Sequence, residues 1–141
     1  MRALLILLFC LASLAGYAQN ETALKVPETA LEQLEDFKEL TKSEVAATPG
    51  RGRQHAETRP DINRWLVVSA NDFVRVTRAS PTREAYLLCI ETGLARLAPL
   101  TPDAEGRQQV AEFFQELMEI VGLESSGGRL AAFTKLPATQ K

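Results

Sequence analysis

The residue types best suited to chemistry meet in one short turn near the carboxyl terminus. This turn reads Glu124-Ser125-Ser126-Gly127-Gly128. Two serine hydroxyls and two glycine amides at the start of a helix can form a small nest for an anion, with positive charge from Arg107 or Arg129. The same residues can instead cap a helix, because serine accepts backbone N–H groups and glycine adopts a left-handed backbone. Capping accounts for every residue type in the turn, and anion binding remains open as the functional interpretation.

The rest of the sequence shows no pattern that fixes a catalytic mechanism. Neither serine lies between glycines at the spacing of a nucleophile elbow, and the turn lacks the lysine of a phosphate-binding loop. The single histidine, His55, lies beside Arg51, Arg53 and Arg59 in a segment with glycine and proline. Composition predicts an exposed loop there, whose basic residues form either a contact patch or an ordinary solvated surface. We expect no catalytic residue and keep a hydrolase only as a second alternative.

Residues 1–18 have the pattern of a cleavable secretory signal. Arg2 supplies the positive start, an apolar stretch runs from Ala3 to Ala15, and Gly16 and Ala18 are the small residues that signal peptidase recognises. The apolar run is shorter than the ~20 residues that span a bilayer. We therefore expect cleavage after residue 18, export to the periplasm or beyond, and no membrane anchor in the mature chain.

Loss of the signal would leave Cys89 as the one cysteine, because Cys10 lies inside the signal. An internal disulfide is then impossible, so the fold has to rest on its hydrophobic core. One histidine and one cysteine cannot form a structural zinc site, and no carboxylate pattern has the spacing of a calcium loop. We expect no metal and no cofactor. Cys89 itself is expected to be a buried small apolar residue; an exposed thiol would instead be able to cross-link a dimer.

The charge balance is mildly acidic, with 16 basic and 18 acidic residues and a net charge of −2. Removal of Arg2 with the signal makes the mature chain one unit more negative. Proteins that bind nucleic acid usually carry a strong basic excess. The composition therefore predicts a soluble protein with mixed surface charge and no nucleic-acid partner.

Apolar residues recur at helical spacing in four long segments and one short one. These patterns predict an all-α fold, a compact bundle of four amphipathic helices plus a short C-terminal fifth helix. Trp65 and Tyr86 lie on the apolar stripes and are expected in the core rather than on a ligand platform. Gly93 falls inside the third stripe and predicts a close helix crossing. The five stripes are Leu31, Leu34, Phe37 and Leu40; Ile62, Trp65, Leu66, Ser69, Phe73 and Val76; Tyr86, Cys89, Ile90, Gly93, Leu94 and Leu97; Val110, Phe113, Phe114, Leu117, Ile120 and Val121; and Leu130, Ala131, Phe133 and Leu136.

Proline, glycine and polar residues mark where these helices begin and end. The first helix is predicted to begin near Pro27, the second to be capped by Asp61, and the third by Ser80 with a proline after it. A Thr-Pro-Asp-Ala-Glu segment opens the fourth, where Asp103 and Glu105 suit the helix dipole. Gly122 is the expected end of that helix. The domain boundaries that follow are a signal at 1–18, a flexible lead-in at 19–26, a single helical domain at 27–136 with an exposed loop at 46–60, and a loose tail at 137–141.

The segment from Asp103 to Phe133 resembles the signature end of a family of small bacterial helical proteins, which is known only as a domain of unknown function. Members carry an acidic stretch with an arginine, an aromatic pair, an acidic-aliphatic run and a turn of the Ile-Glu-Ser-Ser-Gly type. The region around Phe37-Lys38 resembles the first helix of the family. The resemblance implies a helical fold and transfers no activity. The matching residues are Asp103, Glu105 and Arg107; Phe113-Phe114; Leu117-Met118-Glu119-Ile120; and Gly122-Leu123-Glu124-Ser125-Ser126-Gly127-Gly128.

We therefore expect an exported, non-enzymatic protein that binds another exported protein, as an immunity or inhibitor factor does. This expectation rests on a sequence that predicts a small helical scaffold with an export signal and shows no recognisable set of catalytic residues. The alternative is a binder of an anion or small molecule that uses the Ser125-Ser126-Gly127-Gly128 turn with Arg107. The partner and the oligomeric state stay open at this point.

Overall fold

A computed structural model of the protein describes residues 23–47 and 59–137. Within these ranges the chain forms five α-helices and no strand. The prediction of four longer helices and a short fifth is confirmed. The elements are α1 (Ala30–Ala47), α2 (Arg59–Ala79), α3 (Arg83–Leu97), a 3-10 turn (Ala98–Leu100), α4 (Ala104–Val121) and α5 (Arg129–Thr134).

Several predictions fall on other parts of the chain. The predicted signal at 1–18, the first half of the lead-in (19–22) and the tail after residue 137 lie outside the described residues, as do Arg51, Arg53 and His55 of the predicted loop. No helix among the described residues is long and apolar enough to cross a membrane.

The backbone just before α1 is tied to the junction between α2 and α3. Ala23 forms an isolated antiparallel bridge with Thr82, and the N–H of Leu24 donates to the carbonyl of Pro81 at 2.8 Å. Leu24 and Val26 pack, half-buried, against the core. The prediction of a polar lead-in did not include this contact, because it depends on a pairing with a distant part of the chain.

Three helix starts differ from the sequence predictions, and the first is that of α1, which begins at Ala30 and not near Pro27. Helix α2 begins at Arg59, so Asp61 lies in its first turn and the prediction of Asp61 as the cap is wrong. Proline at the second residue is compatible with this start, because the first turn needs no N–H from it. The cap of α3 is Thr82, whose hydroxyl accepts from the N–H of Ala85 at 3.2 Å, and not Ser80. Ser80 instead continues the end of α2, because its own N–H donates to Val76.

The end of α4 agrees with its sequence signal. Gly122 adopts a left-handed conformation with φ 72° and ends the helix, as predicted. Glycine is favoured there because a Cβ destabilises the left-handed backbone. The start of α4 is capped by Asp103, whose Oδ1 accepts from the N–H of Gly106 at 2.6 Å.

One hydrophobic core joins all five helices. Tyr86 is fully buried, as predicted, and its hydroxyl lies 2.7 Å from that of Thr77, so the polar end of the ring has a partner. Gly93 lies where α3 crosses α2 and α4, which confirms the predicted close crossing. A Cβ there would lie 2.5 Å from Cζ of Phe114 and 2.7 Å from Oγ of Ser69. The largest fully buried side chains include Leu34, Phe73, Ile90, Leu97, Phe114 and Leu117.

Candidate functional site

The predicted Glu-Ser-Ser-Gly-Gly turn connects α4 to α5 and uses its polar groups internally. The hydroxyl of Ser125 accepts from the N–H of Gly127 at 3.1 Å, and that of Ser126 accepts from Leu130 at 3.3 Å. Gly127 and Gly128 have φ values of 62° and 80°. The cap residue of α5 is Gly128, which makes no side-chain cap bond, so the interpretation of either serine as the cap is wrong. The serine hydroxyls and the left-handed glycines instead stabilise the tight turn that leads into the helix. Glu124 is exposed beside the turn.

The two arginines considered for this turn lie in different surroundings. Arg129 Nη1 donates to the carbonyl of Ser126 at 3.1 Å, and Arg129 Nη2 lies 3.4 Å from Oε2 of Glu91 on α3. Arg107 is only 3% exposed. Its guanidinium donates to the backbone carbonyls of Thr101, at 3.0 Å, Pro102 and Leu136. These three acceptors belong to the approach to α4 and the end of α5, so the hydrogen bonds of Arg107 do not join it to the turn.

Arg107 therefore has a clear structural role in this geometry. It is a buried cation that donates to three carbonyl oxygens, two before α4 and one after α5. Such charge-assisted bonds are stronger than neutral ones. Arg107 thus fastens the last helix to the start of α4, and it positions Leu136 at the protein surface.

A shallow apolar groove runs between α3 and α5. We call it the α3–α5 groove, and its hollow has a volume of about 270 Å³. All of its lining is apolar except for Glu91 and Arg129, which form an ion pair across it. The lining residues are Glu91, Leu94, Ala95, Ala98, Arg129, Ala132, Phe133 and Leu136.

Of two exposed leucines, Leu136 lines the α3–α5 groove, and Leu88 lies on α3 about one turn before the lining residue Glu91. Leu88 is 63% exposed and Leu136 is 44% exposed. Leu88 lies two turns before Ala95 on the same face of α3, since residues seven apart in a helix point in nearly the same direction. Leu40 on α1, 61% exposed, is the other large apolar side chain with comparable exposure in the described part of the chain. Leu136 in the lining and Leu88 on the adjoining turn of α3 are thus two exposed large apolar side chains on this part of the surface.

A second hollow of about 270 Å³ lies between the first turns of α2 and α4. We call it the α2–α4 cleft. Its wall is apolar on one side and carries carboxylates and side-chain amides on the other. The lining residues are Ile62, Asn63, Leu66, Leu100, Thr101, Asp103, Glu105, Gly106, Gln109 and Val110.

Sequence reasoning did not find either hollow, although one signal was present. Leu88 lies off the predicted buried stripe of α3, and a large apolar residue on the polar side of a helix is an indication of a contact surface. Leu136 was assigned to a buried stripe, whereas nearly half of it is exposed. The facing alanines of α3 and α5 carried no signal, because the groove exists only once the two helices are packed.

Trp65 is half-buried at the boundary between α2 and α3. The guanidinium groups of Arg64 and Arg96 lie 5.2 and 5.1 Å from the centre of its ring, within the range of a cation–π contact. Arg96 also pairs with Asp72 on α2 at 3.2 Å. This cluster connects α2 to α3. The ring is therefore engaged by the protein's own cations.

Cys89 is half-buried on α3, and burial raises the pKa of its thiol to about 11, with the Asp72 carboxylate adding to the rise. The thiolate is the form that reacts with alkylating agents. At pH 8, we therefore expect iodoacetamide to alkylate Cys89 about 100-fold more slowly in the folded protein than in urea, because each pKa unit costs a factor of ten in thiolate. A Cys10→Ser background leaves Cys89 as the only thiol in the experiment.

The pH dependence of that reaction gives the sharper measurement. In the folded protein the rate should keep rising tenfold per pH unit through pH 10, whereas in urea it should level off near pH 9. A folded-state rate that levels off at or below pH 9 would contradict the assigned burial of the thiol.

Metal-ligating side chains do not gather in the described ranges. No group of three or more His, Cys, Asp or Glu residues there could hold a metal ion. The hydrogen bonds of the predicted turn, the α3–α5 groove and the α2–α4 cleft are thus the features from which a function can be argued.

Comparison with known proteins gives one match. A family model described as a domain of unknown function (DUF4844) matches residues 25–136. This agrees with the resemblance drawn from the residues between Asp103 and Phe133. No curated protein and no solved structure matches the chain.

Proposed function

The chain belongs to the family described as a domain of unknown function (DUF4844), and from this premise we propose that it is an exported, non-enzymatic protein that binds another protein through the α3–α5 groove. The observation that carries the proposal is the groove itself. Apolar side chains line it, the exposed Leu136 among them, and the exposed Leu88 lies on α3 about one turn before the lining residue Glu91. Burial of apolar surface is the main source of affinity in most protein–protein contacts.

The segments 48–58 and 138–141, outside the described ranges, contain no large aliphatic side chain and no Phe, Tyr or Trp. They therefore offer little apolar surface with which to cover this groove. The stretch from Ala3 to Ala15 is strongly apolar, but it belongs to the proposed signal, which cleavage would remove. We propose that the occupant of the groove is another protein.

The chemistry of the groove describes the part of the partner that binds there. Its floor suits an aliphatic or aromatic side chain, because Leu94, Ala132 and Phe133 offer only carbon at the surface. Glu91 and Arg129 can each turn to a charged residue of the partner, since their own contact is long and exposed. We therefore propose an apolar side chain flanked by charged residues.

Export and the immunity- or inhibitor-like role rest on the sequence. The signal pattern of residues 1–18 supports export, and the lack of a catalytic constellation in the sequence favours binding over turnover. A small stable scaffold with one exposed apolar groove suits a protein that occupies the surface of another exported protein.

Site-specific photo-cross-linking tests this proposal. A benzophenone amino acid is placed at Leu88 and, in a matched control, at the equally exposed Leu40 on α1, and the protein is irradiated in the cells that export it. We expect one covalent adduct from position 88 and none of the same mass from position 40. The mass of the adduct identifies the partner, which is then purified for titration.

Two results would overturn the proposal. Equal adducts from the two positions would mean that cross-linking at position 88 is non-specific and occurs at any exposed apolar position. An adduct between two copies of this chain, together with a dimer that light scattering detects and Leu88→Glu abolishes, would make the groove a self-association surface. Edman sequencing of the exported protein checks the signal separately, with Gln19 expected as the first residue.

A further inference from the structure

The walls of the α3–α5 groove offer side chains rather than backbone hydrogen-bonding groups. They are formed mainly by two helices, and the N–H and C=O groups inside a helix bond to one another. An extended segment lying in the groove would find no strand edge to pair with, and its own polar backbone would press unpaired against apolar side chains. An α-helix satisfies its own backbone and presents only side chains. The groove therefore suits a helix better than a strand.

The groove also lacks the surface that a proline-rich segment requires. Such segments dock on grooves lined with aromatic rings. Among the described residues that line the α3–α5 groove, Phe133 is the one aromatic, and it is only 4% exposed. A proline-rich ligand would have no ring to pack on.

The outer face of α3 has the residue spacing of a helix–helix contact. Glu84, Leu88, Glu91, Ala95 and Ala98 follow one another at steps of four and three residues, which is the spacing of the seam in paired helices. The first four are exposed and Ala98 is half-buried. With a rise of 1.5 Å per residue, this seam is ~21 Å long. A partner helix of about 14 residues matches that length.

Three alanines leave room for a large side chain beside this seam. Ala95 and Ala98 lie on one wall of the groove and Ala132 lies on the other. In paired helices a large side chain of one helix inserts between residues of the other. The hollow of about 270 Å³ is the place where a leucine, isoleucine or methionine of the partner would insert.

The two sides of the groove carry opposite charge. Glu84 and Glu91 lie on the α3 seam, one turn before and one turn after Leu88, and Arg129 lies on the α5 side. Charges that flank the apolar seam of a helix pair select the partner and its orientation. A helix that complements this groove therefore carries basic residues towards α3 and an acidic residue towards α5.

We infer that the partner docks in the α3–α5 groove as an amphipathic α-helix that lies along α3, an inference that rests on the protein binding proposed above. The apolar stripe of this helix places a large side chain over Ala95, Ala98 and Ala132. Its basic flank faces Glu84 and Glu91.

The spacing of cross-links along the partner tests this inference. A benzophenone amino acid is placed at position 84 and, in a second protein, at position 95, and tandem mass spectrometry locates the partner residue attached to each. The two positions are ~16.5 Å apart along α3. We expect the two attachment sites to lie about 11 residues apart in the partner, because helices packed side by side rise equally. An extended segment would cover the same distance in about five residues, at ~3.3 Å each.

The failure of this inference can be told apart from the failure of the proposed function. A specific adduct from position 88, with attachment sites about five residues apart or on separate segments of the partner, would overturn the docked helix and leave protein binding in place. A protein that gives no specific adduct from position 88 would overturn both. Attachment to a second copy of this chain would also overturn both.

A matched pair of charge reversals tests the basic flank of the partner helix. Glu84→Lys and Glu105→Lys change the second residue of α3 and of α4, so both substitutions meet the same helix dipole. With the purified partner at low salt, we expect Glu84→Lys to weaken binding at least fivefold and Glu105→Lys to change it less than twofold. The difference should narrow at high salt, which screens exposed charges. Affinity that Glu84→Lys leaves unchanged or makes tighter, in a protein that melts as Glu105→Lys does, would contradict a basic flank on the partner.

Discussion

Replacement of Gly93 by alanine should lower the free energy of unfolding by about 2 kcal/mol, although alanine is the better helix former. Overpacking of a core costs about 1–3 kcal/mol, and the gain in helix propensity returns about 1 kcal/mol or less. At this crossing the cost is at the upper end, because a Cβ would lie 2.5 Å from Cζ of Phe114 and 2.7 Å from Oγ of Ser69. Both neighbours are themselves fully buried, so neither can move without disturbing others.

Urea denaturation of the wild type and of Gly93→Ala measures this difference. The double variant Gly93→Ala/Phe114→Leu provides the control, since it removes the ring atom with which the new methyl group collides. We expect the loss of unfolding free energy in the double variant to be at least ~1 kcal/mol smaller than the sum of the losses in the two single variants, as for residues in direct contact. A Gly93→Ala protein that is as stable as the wild type would show that α3 does not cross α2 and α4 this closely.

Replacement of Arg107 by methionine is expected to cost about 3 kcal/mol of stability, a large effect for a single polar side chain. Methionine keeps most of the length of the buried stem but donates no hydrogen bond. The carbonyls of Thr101, Pro102 and Leu136 then lose their donor, and each buried acceptor without a partner costs about 1–3 kcal/mol. The expected loss of stability is near the lower end of the summed cost of the three carbonyls, because the carbonyl of Leu136 is close to solvent, where water can replace the lost bond.

Hydrogen exchange shows where the Arg107→Met effect falls. The amides of α5 should exchange much faster in the variant, because the bond to Leu136 holds the end of that helix against α4. Arg107→Lys should recover only part of the loss, since one ammonium cannot reproduce the planar fork of a guanidinium. Arg75→Met serves as the control for an exposed arginine and should change stability by less than ~0.5 kcal/mol. Equal effects of the two methionine variants would contradict the role assigned to Arg107.

These two residues show how differently the sequence informed the fold. Gly93 could be interpreted correctly because a glycine within an apolar helical stripe has few explanations other than close packing. Arg107 or Arg129 was a candidate to supply charge to the turn at 124–128 if the turn bound an anion. No local pattern revealed that Arg107 is buried and bonded to carbonyls six residues before it and 29 residues after it. Such a role depends on where α5 docks, which is a property of the folded chain.

The helix count was predictable for the same reason as Gly93, since apolar periodicity reports local structure directly. Cap positions were harder to predict, because both Ser80 and Thr82 have side chains that can cap a helix. The observed cap, Thr82, goes with the contact of residues 23–24 with Pro81 and Thr82, which lies far away in the sequence. The two hollows were beyond sequence reasoning altogether. Each lies between helices that are distant in the chain, α3 with α5 and α2 with α4, so their lining residues share no spacing.

Arg107 also connects the stability of the protein to its proposed function. Leu136, whose carbonyl it binds, lines the α3–α5 groove with its side chain. The end of α5 therefore has to stay docked for the groove to keep its shape. Arg107 therefore stabilises the part of the surface to which we assign partner binding.

The central claim is that the partner binds on the α3–α5 groove, and the affinity of the cross-linked partner for two leucine variants tests it most directly. Calorimetric titration compares Leu88→Glu with Leu40→Glu, two substitutions of equally exposed leucines by the same charge. We expect at least tenfold weaker binding for Leu88→Glu, which is the loss of about 1.4 kcal/mol expected when an apolar contact is removed from an interface. We expect a change of less than twofold for Leu40→Glu. Equal affinities for the two variants, with both folded as the wild type, would contradict binding on the groove.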